Sequence, residues 1–177
     1  SVVSRLLRIM GYSVYDTDSE AKRLMESSLE VVQKLSECFG RDIYHNGRLN
    51  RGLLSSRVFG ESDKIVLLNS IVHPVVRFDF YRWSESLNEE ICFVESAILY
   101  ESRFDELVDE VWTVTAPEEL RIGRVRQRSG LTEEEIKKRM AAQLSEEEKQ
   151  RRAAHIIWND GNVSVIHRVL SLLKSLE

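Results

Sequence analysis

The sequence is poor in the residues that mark linkers, exported domains and disordered segments. It contains two prolines, eight glycines and two cysteines in 177 residues, with no low-complexity run and no convincing internal repeat. Because no signal-like stretch indicates export, Cys38 and Cys92 are predicted to be thiols in a reducing cytosol. No apolar run approaches transmembrane length. We therefore expect one cytoplasmic domain with a sizeable core and no membrane partner.

The sequence also lacks an excess of positive charge. Its formal net charge is −4 and its pI is about 5.7. A uniformly basic surface for nucleic acid is therefore not indicated, and any phosphate binding has to be local.

Two acids follow the first predicted strand. In the stretch YSVYDTDSEAKRLM, aromatic and β-branched residues come after a glycine, and Asp16 and Asp18 lie where the strand is expected to end. Thr17, Asp18 or Ser19 can cap the helix that follows. Ligands of open α/β sheets bind at the carboxyl ends of strands, so both acids are candidates for chemistry. The alternative is that they only cap and solvate the helix.

The rest of the chain predicts strands alternating with helices around a helical insertion, which indicates a doubly wound parallel sheet. A helix ahead of the first strand is half of a βαβ unit, so we expect one more strand before Ser1. Helices are predicted at Leu29–Phe39, Arg51–Phe59, Ser62 to about His73, Val75–Leu87, Tyr100–Leu107 and Val163–Leu176, and further strands at Ile91–Ile98, Glu110–Thr115 and His155–Trp158.

One of these strands carries an acid. Glu95 interrupts the otherwise apolar stretch ICFVESAI. A buried carboxylate is costly unless it is paired or bound to a cation, so Glu95 is expected to reach the ligand crevice or to lie near the end of its strand.

An arginine row follows the third predicted strand. Arg121, Arg124 and Arg128 are spaced three and four residues apart and share one helix face. Thr132 and Glu135 then predict a capping box for the next helix. The row suits a phosphate clamp, since guanidinium groups bind phosphate in a bidentate way; the alternative is a solvated face paired with glutamates.

Five motifs in order resemble the dephospho-coenzyme A kinase family over essentially the whole chain. Asp16-Thr17-Asp18 is similar to the family's Asp-Ala-Asp motif, and SIVHPVVR resembles its His-Pro-x-x-Arg segment. FVESAILYES is similar to the strand end that the family writes PLLFE. The stretch from ELRIGRVRQRSG to IKKRMAAQ looks like its lid, and HIIWNDGN resembles its closing turn.

The resemblance implies a fold and a division of the chain. The fold is a P-loop NTPase-type parallel sheet of about five strands, the first of them ahead of Ser1, flanked by helices. Residues 1–28, 91–120 and 153–177 would form the nucleotide-binding core, 29–90 a helical domain for the CoA substrate, and 121–152 the lid.

The resemblance also implies the reaction, which is transfer of the γ-phosphate of ATP to the ribose 3′-hydroxyl of dephospho-CoA. Asp16 would be the catalytic acid that orients or deprotonates that hydroxyl. The residues implied on the dephospho-CoA side are Asp18, His73, Arg77 and Glu101. Asp18 would help to hold substrate or metal, and Glu101 has a structural role as its alternative. Those implied on the ATP side are Ser1, Arg124, Arg128, Arg139, Asn159 and Gly161.

The sequence departs from the family pattern in two places. It contains no Gly-rich loop ending in Gly-Lys-Ser or Gly-Lys-Thr; Ser1 would follow that lysine and contact Mg²⁺, the expected cofactor. Ala97 stands where the family usually has proline, which concerns only the local shape of that strand end.

Two other functions are compatible with parts of this pattern. A nucleoside monophosphate kinase also needs strand-end acids and an arginine-bearing lid, whereas His73, Pro74 and Arg77 favour a CoA precursor. A non-catalytic module could use the arginine-rich helices to bind nucleic acid or a protein. Binding to nucleic acid would weaken steeply with salt and would not need Mg²⁺ or ATP. We expect an enzyme that binds ATP and dephospho-CoA and no nucleic acid, as a monomer or weak homo-oligomer.

Overall fold

The computed structural model describes residues 1–176. The chain divides into two compact units, Ser1–Gly11 with Ile98–Glu177 and Tyr12–Ala97. We call them the first and the second unit. In chain order the elements are α1 (Val2–Ile9), β1 (Val14–Asp16), α2 (Thr17–Ser27), α3 (Leu29–Phe39), β2 (Tyr44–His45), β3 (Arg48–Leu49), α4 (Arg51–Val58), α5 (Ser62–Ser86), β4 (Phe93–Glu95), β5 (Trp112–Thr115), α6 (Glu118–Ser129), α7 (Glu133–Ala141), α8 (Glu146–Arg152), β6 (His155–Trp158) and α9 (Val165–Leu173).

The second unit is organised around the parallel pair β1 and β4. Val14 lies opposite Phe93, Tyr15 opposite Val94, and Asp16 opposite Glu95. Glu95 is therefore the last residue of its strand, which confirms the expectation that it lies near the strand's end. Two acids thus lie side by side at the carboxyl ends of neighbouring parallel strands.

The core of the second unit lies between helices α2 to α5, strand β1 and a short 3₁₀ helix at Arg41–Ile43. Val31, Leu35 and Ile43 are fully buried, and Tyr15 and Phe80 are 3% and 5% exposed. The buried positions of α3 recur every four residues, which is the helical period that the sequence predicts for this stretch.

The prediction of two helices separated at Pro74 is wrong. Residues Ser62–Ser86 form one helix of 25 residues with Pro74 inside it. Proline lacks the amide hydrogen that would bond the carbonyl of Ser70, but a helix can absorb this loss when both flanking segments are held by packing. Ile71, Val72 and Val76 are buried around it and provide that packing.

The predicted insertion at 29–90 is not wholly helical. Strands β2 and β3 form an antiparallel hairpin, in which Tyr44 lies opposite Leu49 and His45 opposite Arg48. The turn between them is Asn46-Gly47, with φ of +49° and +76°. An Asn-Gly pair with positive φ at both positions is the common two-residue hairpin turn, so a sequence signal for the hairpin was present.

The first unit is organised around the parallel pair β5 and β6, whose register runs from Trp112 opposite His155 to Thr115 opposite Trp158. Ile157 of β6 and Val169 of α9 are fully buried, and Leu7 of α1 is 3% exposed. The predicted helix at Tyr100–Leu107 is wrong: turns precede a short 3₁₀ helix at Phe104–Leu107. Arg103 breaks the stretch because it adopts a left-handed conformation with φ of +60°.

The architecture is a mixed α/β fold with parallel strand pairs and flanking helices. The four strands predicted from sequence within the chain are present at 14–16, 93–95, 112–115 and 155–158. None of the helices formed by residues 1–176 is long and apolar enough to cross a membrane.

Replacing Pro74 with alanine is expected to stabilise the protein. The side chain is exposed, so little packing is lost, while the new amide can bond the carbonyl of Ser70 and the ring strain on α5 disappears. We expect the free energy of unfolding in urea to rise by about 1 kcal/mol or more. Val66→Ala, at an exposed position of the same helix, is the control and should change stability little. A Pro74→Ala variant that is less stable than the wild type would contradict this account.

Candidate active site

Asp16 ends strand β1 and caps helix α2. Its Oδ1 atom accepts the backbone N–H of Asp18 and of Ser19, each at 3.1 Å. The sequence prediction placed the cap at Thr17, Asp18 or Ser19 and is corrected by this geometry. The cap moves back because Asp16 keeps extended backbone angles (φ −99°, ψ 102°), so helical geometry begins at Thr17.

Asp18 and Glu20 lie in the first turn of α2. Carboxylates there are favoured by the unpaired amides and dipole of the helix N-terminus. The Asp18 side chain is exposed and forms no hydrogen bond or ion pair with another residue of the described chain. It is therefore accessible to a ligand.

His73 and Arg77 lie four residues apart on α5, so they share one face of that helix. Both are partly exposed. Burial lowers the pKa of His73 below its ordinary value. The imidazole is thus neutral at neutral pH, which suits hydrogen bonding rather than a cation's attraction for phosphate.

In the first unit, Arg124 holds the turn that follows β6. Its Nη1 atom donates to the backbone carbonyl of Asn159 at 2.7 Å. Asp160 accepts the backbone N–H of Asn162 at 2.9 Å, which lowers the pKa of that carboxyl. Gly161 has a φ of +92°, a conformation that favours glycine. The structure therefore brings three predicted site residues, Arg124, Asn159 and Gly161, together.

The other predicted lid cations lie apart from this contact. Arg128 is in the last turn of α6 and Arg139 in the last turn of α7. Both are exposed, and neither forms a salt bridge with another of residues 1–176. The capping box of Thr132 and Glu135 predicted between these helices is confirmed.

Arg121 has a different environment from the rest of its row. It pairs with Glu146 of α8 at 3.0 Å. Glu146 also accepts the Thr115 hydroxyl at 3.0 Å and the Lys149 ammonium at 3.2 Å. Neither Glu146 nor Lys149 was predicted from the sequence as a site residue; their i, i+3 spacing is the one local signal that could have found this cluster.

Glu101 accepts the backbone N–H of Leu144 at 2.6 Å. Leu144 lies between α7 and α8, so the acid anchors the connection between these two helices. The sequence leaves Glu101 open between a substrate-side and a structural role, and this contact favours the structural one.

Ser1 caps helix α1. Its Oγ atom accepts the backbone N–H of Ser4 at 3.1 Å and lies 2.8 Å from the Ser4 hydroxyl oxygen. This hydroxyl therefore lies at a helix N-terminus, where anions are favoured.

Comparison with known proteins identifies the family of this chain. The sequence profile of the dephospho-CoA kinase family matches residues 1–164. The chain belongs to the dephospho-CoA kinase family. Dephospho-CoA kinase from Porphyromonas gingivalis is 37% identical over 177 residues, covering 99% of this chain and 88% of the relative. The enzyme of that name from Corynebacterium diphtheriae is 36% identical over 173 residues, covering 96% and 86%.

Two solved structures are similar to this chain over nearly its whole length. The crystal structure of TT1252 from Thermus thermophilus superposes with a TM-score of 0.85 at 33% identity, covering 99% of this chain and 90% of that one. A dephospho-CoA kinase from Campylobacter jejuni has a TM-score of 0.71 at 22% identity, covering 98% and 89%, and shows the shared fold. The family expected from the sequence motifs is therefore confirmed, and the protein is an ATP-dependent kinase.

The Glu101 contact in this dephospho-CoA kinase family member predicts different effects for two substitutions. Glu101→Ala removes the acceptor for the Leu144 amide and should lower the free energy of unfolding by about 1 kcal/mol. Glu101→Gln keeps a carbonyl oxygen and should remain near wild type in urea unfolding and in turnover. Folded Glu101→Gln protein with turnover as low as that of Glu101→Ala would contradict the structural role and indicate that the charge acts on substrate.

The environment of His73 predicts a pH dependence of stability. The unfolded imidazole takes up a proton as the pH falls through about 6.5, whereas the folded one resists protonation until lower pH. The contribution of His73 to stability is therefore complete above that pH and declines below it. His73→Gln should flatten the fall in unfolding free energy between about pH 7 and pH 5, measured by urea denaturation. His45→Gln, at an exposed position, is the control; an unchanged slope for His73→Gln would contradict the prediction.

Proposed function

We propose that this protein transfers the γ-phosphate of ATP to the ribose 3′-hydroxyl of dephospho-CoA, with Asp16 as the acid that orients or deprotonates that hydroxyl. The observation that carries the assignment of Asp16 is its place at the carboxyl end of β1 and at the N-cap of α2. Ligands of parallel α/β sheets bind at this end of the strands.

The two carboxylate oxygens of Asp16 differ in their hydrogen bonds. Oδ1 is held by the amides of Asp18 and Ser19, whereas Oδ2 makes no hydrogen bond with the rest of the described chain. A carboxylate fixed through one oxygen presents the other in a defined direction. Oδ2 is therefore the atom we assign to the acceptor hydroxyl, since a base has to lie within hydrogen-bond reach of the proton that it removes.

The acceptor side is proposed to use residues of the second unit. Arg77 would bind a phosphate oxygen of dephospho-CoA through its guanidinium group, and the neutral His73 one turn away would donate or accept a hydrogen bond. Asp18, exposed beside the cap, would contact the substrate ribose. Glu101 belongs to the first unit, and we assign it the anchoring of Leu144 in place of the substrate contact that the family motif implies.

The ATP side is proposed to use residues of the first unit. Arg128 and Arg139, exposed and without salt bridges in the described chain, would bind the phosphates as the lid closes. Arg124 would hold the turn at Asn159 and Gly161 against the adenine through its bond to the Asn159 carbonyl. Phosphoryl transfer needs mainly such positioning and neutralisation of charge.

Mg²⁺ is part of this proposal. Residues 1–176 contain no group of three or more histidines, cysteines or acids that could hold a metal by themselves. Kinases commonly bind Mg²⁺ through one or two carboxylates and substrate phosphates. The Ser1 hydroxyl, at the N-cap of α1, is the ligand that the family motif implies. The ion would neutralise charge on the transferred phosphoryl group.

The finer architecture is also proposed. We assign the parallel strands to a P-loop NTPase-type sheet of about five strands, residues 29–90 to acceptor binding and 121–152 to the lid. We propose a cytoplasmic monomer or weak homo-oligomer. Support comes from the alternation of strands and helices and from the family match.

Asp16→Asn is expected to abolish most turnover without unfolding the protein. Asparagine is as good an N-cap as aspartate, so the hydrogen bonds to Asp18 and Ser19 persist while the basic oxygen is lost. ADP release with ATP, Mg²⁺ and dephospho-CoA should fall by about 10² to 10⁴, with ATP affinity near normal. Asp18→Asn, in the same turn, should retain far more activity. Wild-type turnover in Asp16→Asn would overturn the assignment, and a wild type whose ADP release does not depend on dephospho-CoA would overturn the proposed function.

A further inference from the structure

Three side chains outside the predicted site meet in the second unit. One oxygen of Asp79, Oδ2, accepts the phenol O–H of Tyr15 at 2.7 Å and the Nη2–H of Arg23 at 2.7 Å. Arg23 also donates to Glu20 on its own helix. Each partner of Asp79 comes from a different element, namely β1 and α2, and Asp79 itself belongs to α5.

The same three elements carry the proposed acceptor site. Tyr15 directly precedes Asp16 in β1, and Arg23 lies on the helix that Asp16 caps. Asp79 follows Arg77 by two residues on α5. A bond between Tyr15 and Asp79 therefore joins the strand that presents the acid to the helix that presents the cation.

Of the two contacts of Asp79, the hydrogen bond with Tyr15 is the buried one. Tyr15 is 3% exposed, and its ring centroid lies 5.3 Å from that of Phe80 and 5.2 Å from that of Trp83. Burial raises the pKa of the Tyr15 phenol, and the hydrogen bond to Asp79 raises it further. The phenol therefore remains a hydrogen-bond donor. Besides Asp79, the phenol has the Val76 carbonyl as an acceptor at 3.5 Å, which is a poor substitute.

The ion pair between Arg23 and Asp79 is more exposed. The Arg23 side chain is 51% exposed and that of Asp79 is 28% exposed, so solvent screens this ion pair. The attachment of β1 to α5 is therefore expected to depend mainly on the buried phenol of Tyr15 and less on Arg23.

We propose that Tyr15 and Asp79 are positioning residues for phosphoryl transfer, which fix the end of β1 against α5 so that Asp16 and Arg77 meet the acceptor in one geometry. The inference rests on the proposed function, since it assigns a role within that acceptor site. Displacement of a reacting group by about 1 Å can cost on the order of 10² in rate, so a single buried hydrogen bond can control turnover without touching the substrate.

The test is Tyr15→Phe, which keeps the ring contacts with Phe80 and Trp83 and removes only the phenol O–H. We expect kcat to fall about 10-fold and KM for dephospho-CoA to rise, with KM for ATP unchanged. Asp79→Leu should show the same pattern, whereas Asp79→Asn keeps a carbonyl oxygen for the phenol and should restore most of kcat. The double variant Tyr15→Phe with Asp79→Leu should lose no more activity than Asp79→Leu alone, because Asp79→Leu already removes the Tyr15–Asp79 hydrogen bond.

The matched control is Tyr44→Phe. Tyr44 also lies in the second unit, is partly buried, and donates its phenol O–H to the Met25 carbonyl at 2.6 Å. Its removal should cost stability, as in Tyr15→Phe, without changing kcat or either KM. Thermal unfolding of all variants shows whether each is folded at the assay temperature.

The outcomes separate this inference from the proposed function. Tyr15→Phe and Asp79→Leu variants with the kinetic constants of Tyr44→Phe would show a purely structural role and overturn the inference, while an active wild type leaves the proposed function intact. A wild type without turnover on dephospho-CoA would overturn both. Should Tyr15→Phe fail to fold, an Asp79→Leu variant that folds with wild-type kcat and KM would equally overturn the inference.

Discussion

The candidate site depends on a single carboxylate that ends a strand and begins a helix. Asp16 is the last residue of β1 and the N-cap of α2, and its Oδ1 atom holds two amides of the first turn. These bonds fix the side chain where two parallel strands end and where Glu95 is its neighbour across the pair. The cap uses only Oδ1, so it does not compete with the chemistry proposed for Oδ2.

Local signals in the sequence were sufficient for most of the secondary structure. The four strands and the capping box at Thr132 follow from residue types within a few positions of one another. Two of the errors lie where the observed backbone departs from such signals. Pro74 does not end α5, because buried residues on both sides hold the helix together. Arg103 interrupts a stretch that looks helical by adopting a left-handed conformation that no local pattern at that position indicates.

The contacts of the candidate site residues could not be predicted from the sequence. Motif resemblance nominates Asp16, Arg77 and Glu101, but it does not indicate which groups they contact. The hydrogen bond from Leu144 to Glu101 spans 43 residues of sequence, and that from Tyr15 to Asp79 spans 64. No periodicity within one helix or strand encodes such pairs, because they depend on how distant elements pack. A structure is therefore required to distinguish an anchoring acid from one that faces substrate.

The arginine row of α6 shows how one pattern can serve two purposes. Arg121 is paired with Glu146 beside the end of β5, and Arg124 holds the Asn159 carbonyl. Arg128, one turn further along, is exposed and has no salt bridge within residues 1–176. Pairing with a glutamate therefore describes Arg121, whereas the phosphate clamp is proposed for Arg128. The N-terminal part of the helix is fixed to its unit, while its last turn is left available to an anionic ligand. Such an arrangement suits the proposed lid, because the paired arginines keep the start of α6 anchored. The exposed arginine at its end can then bind phosphate as the lid closes.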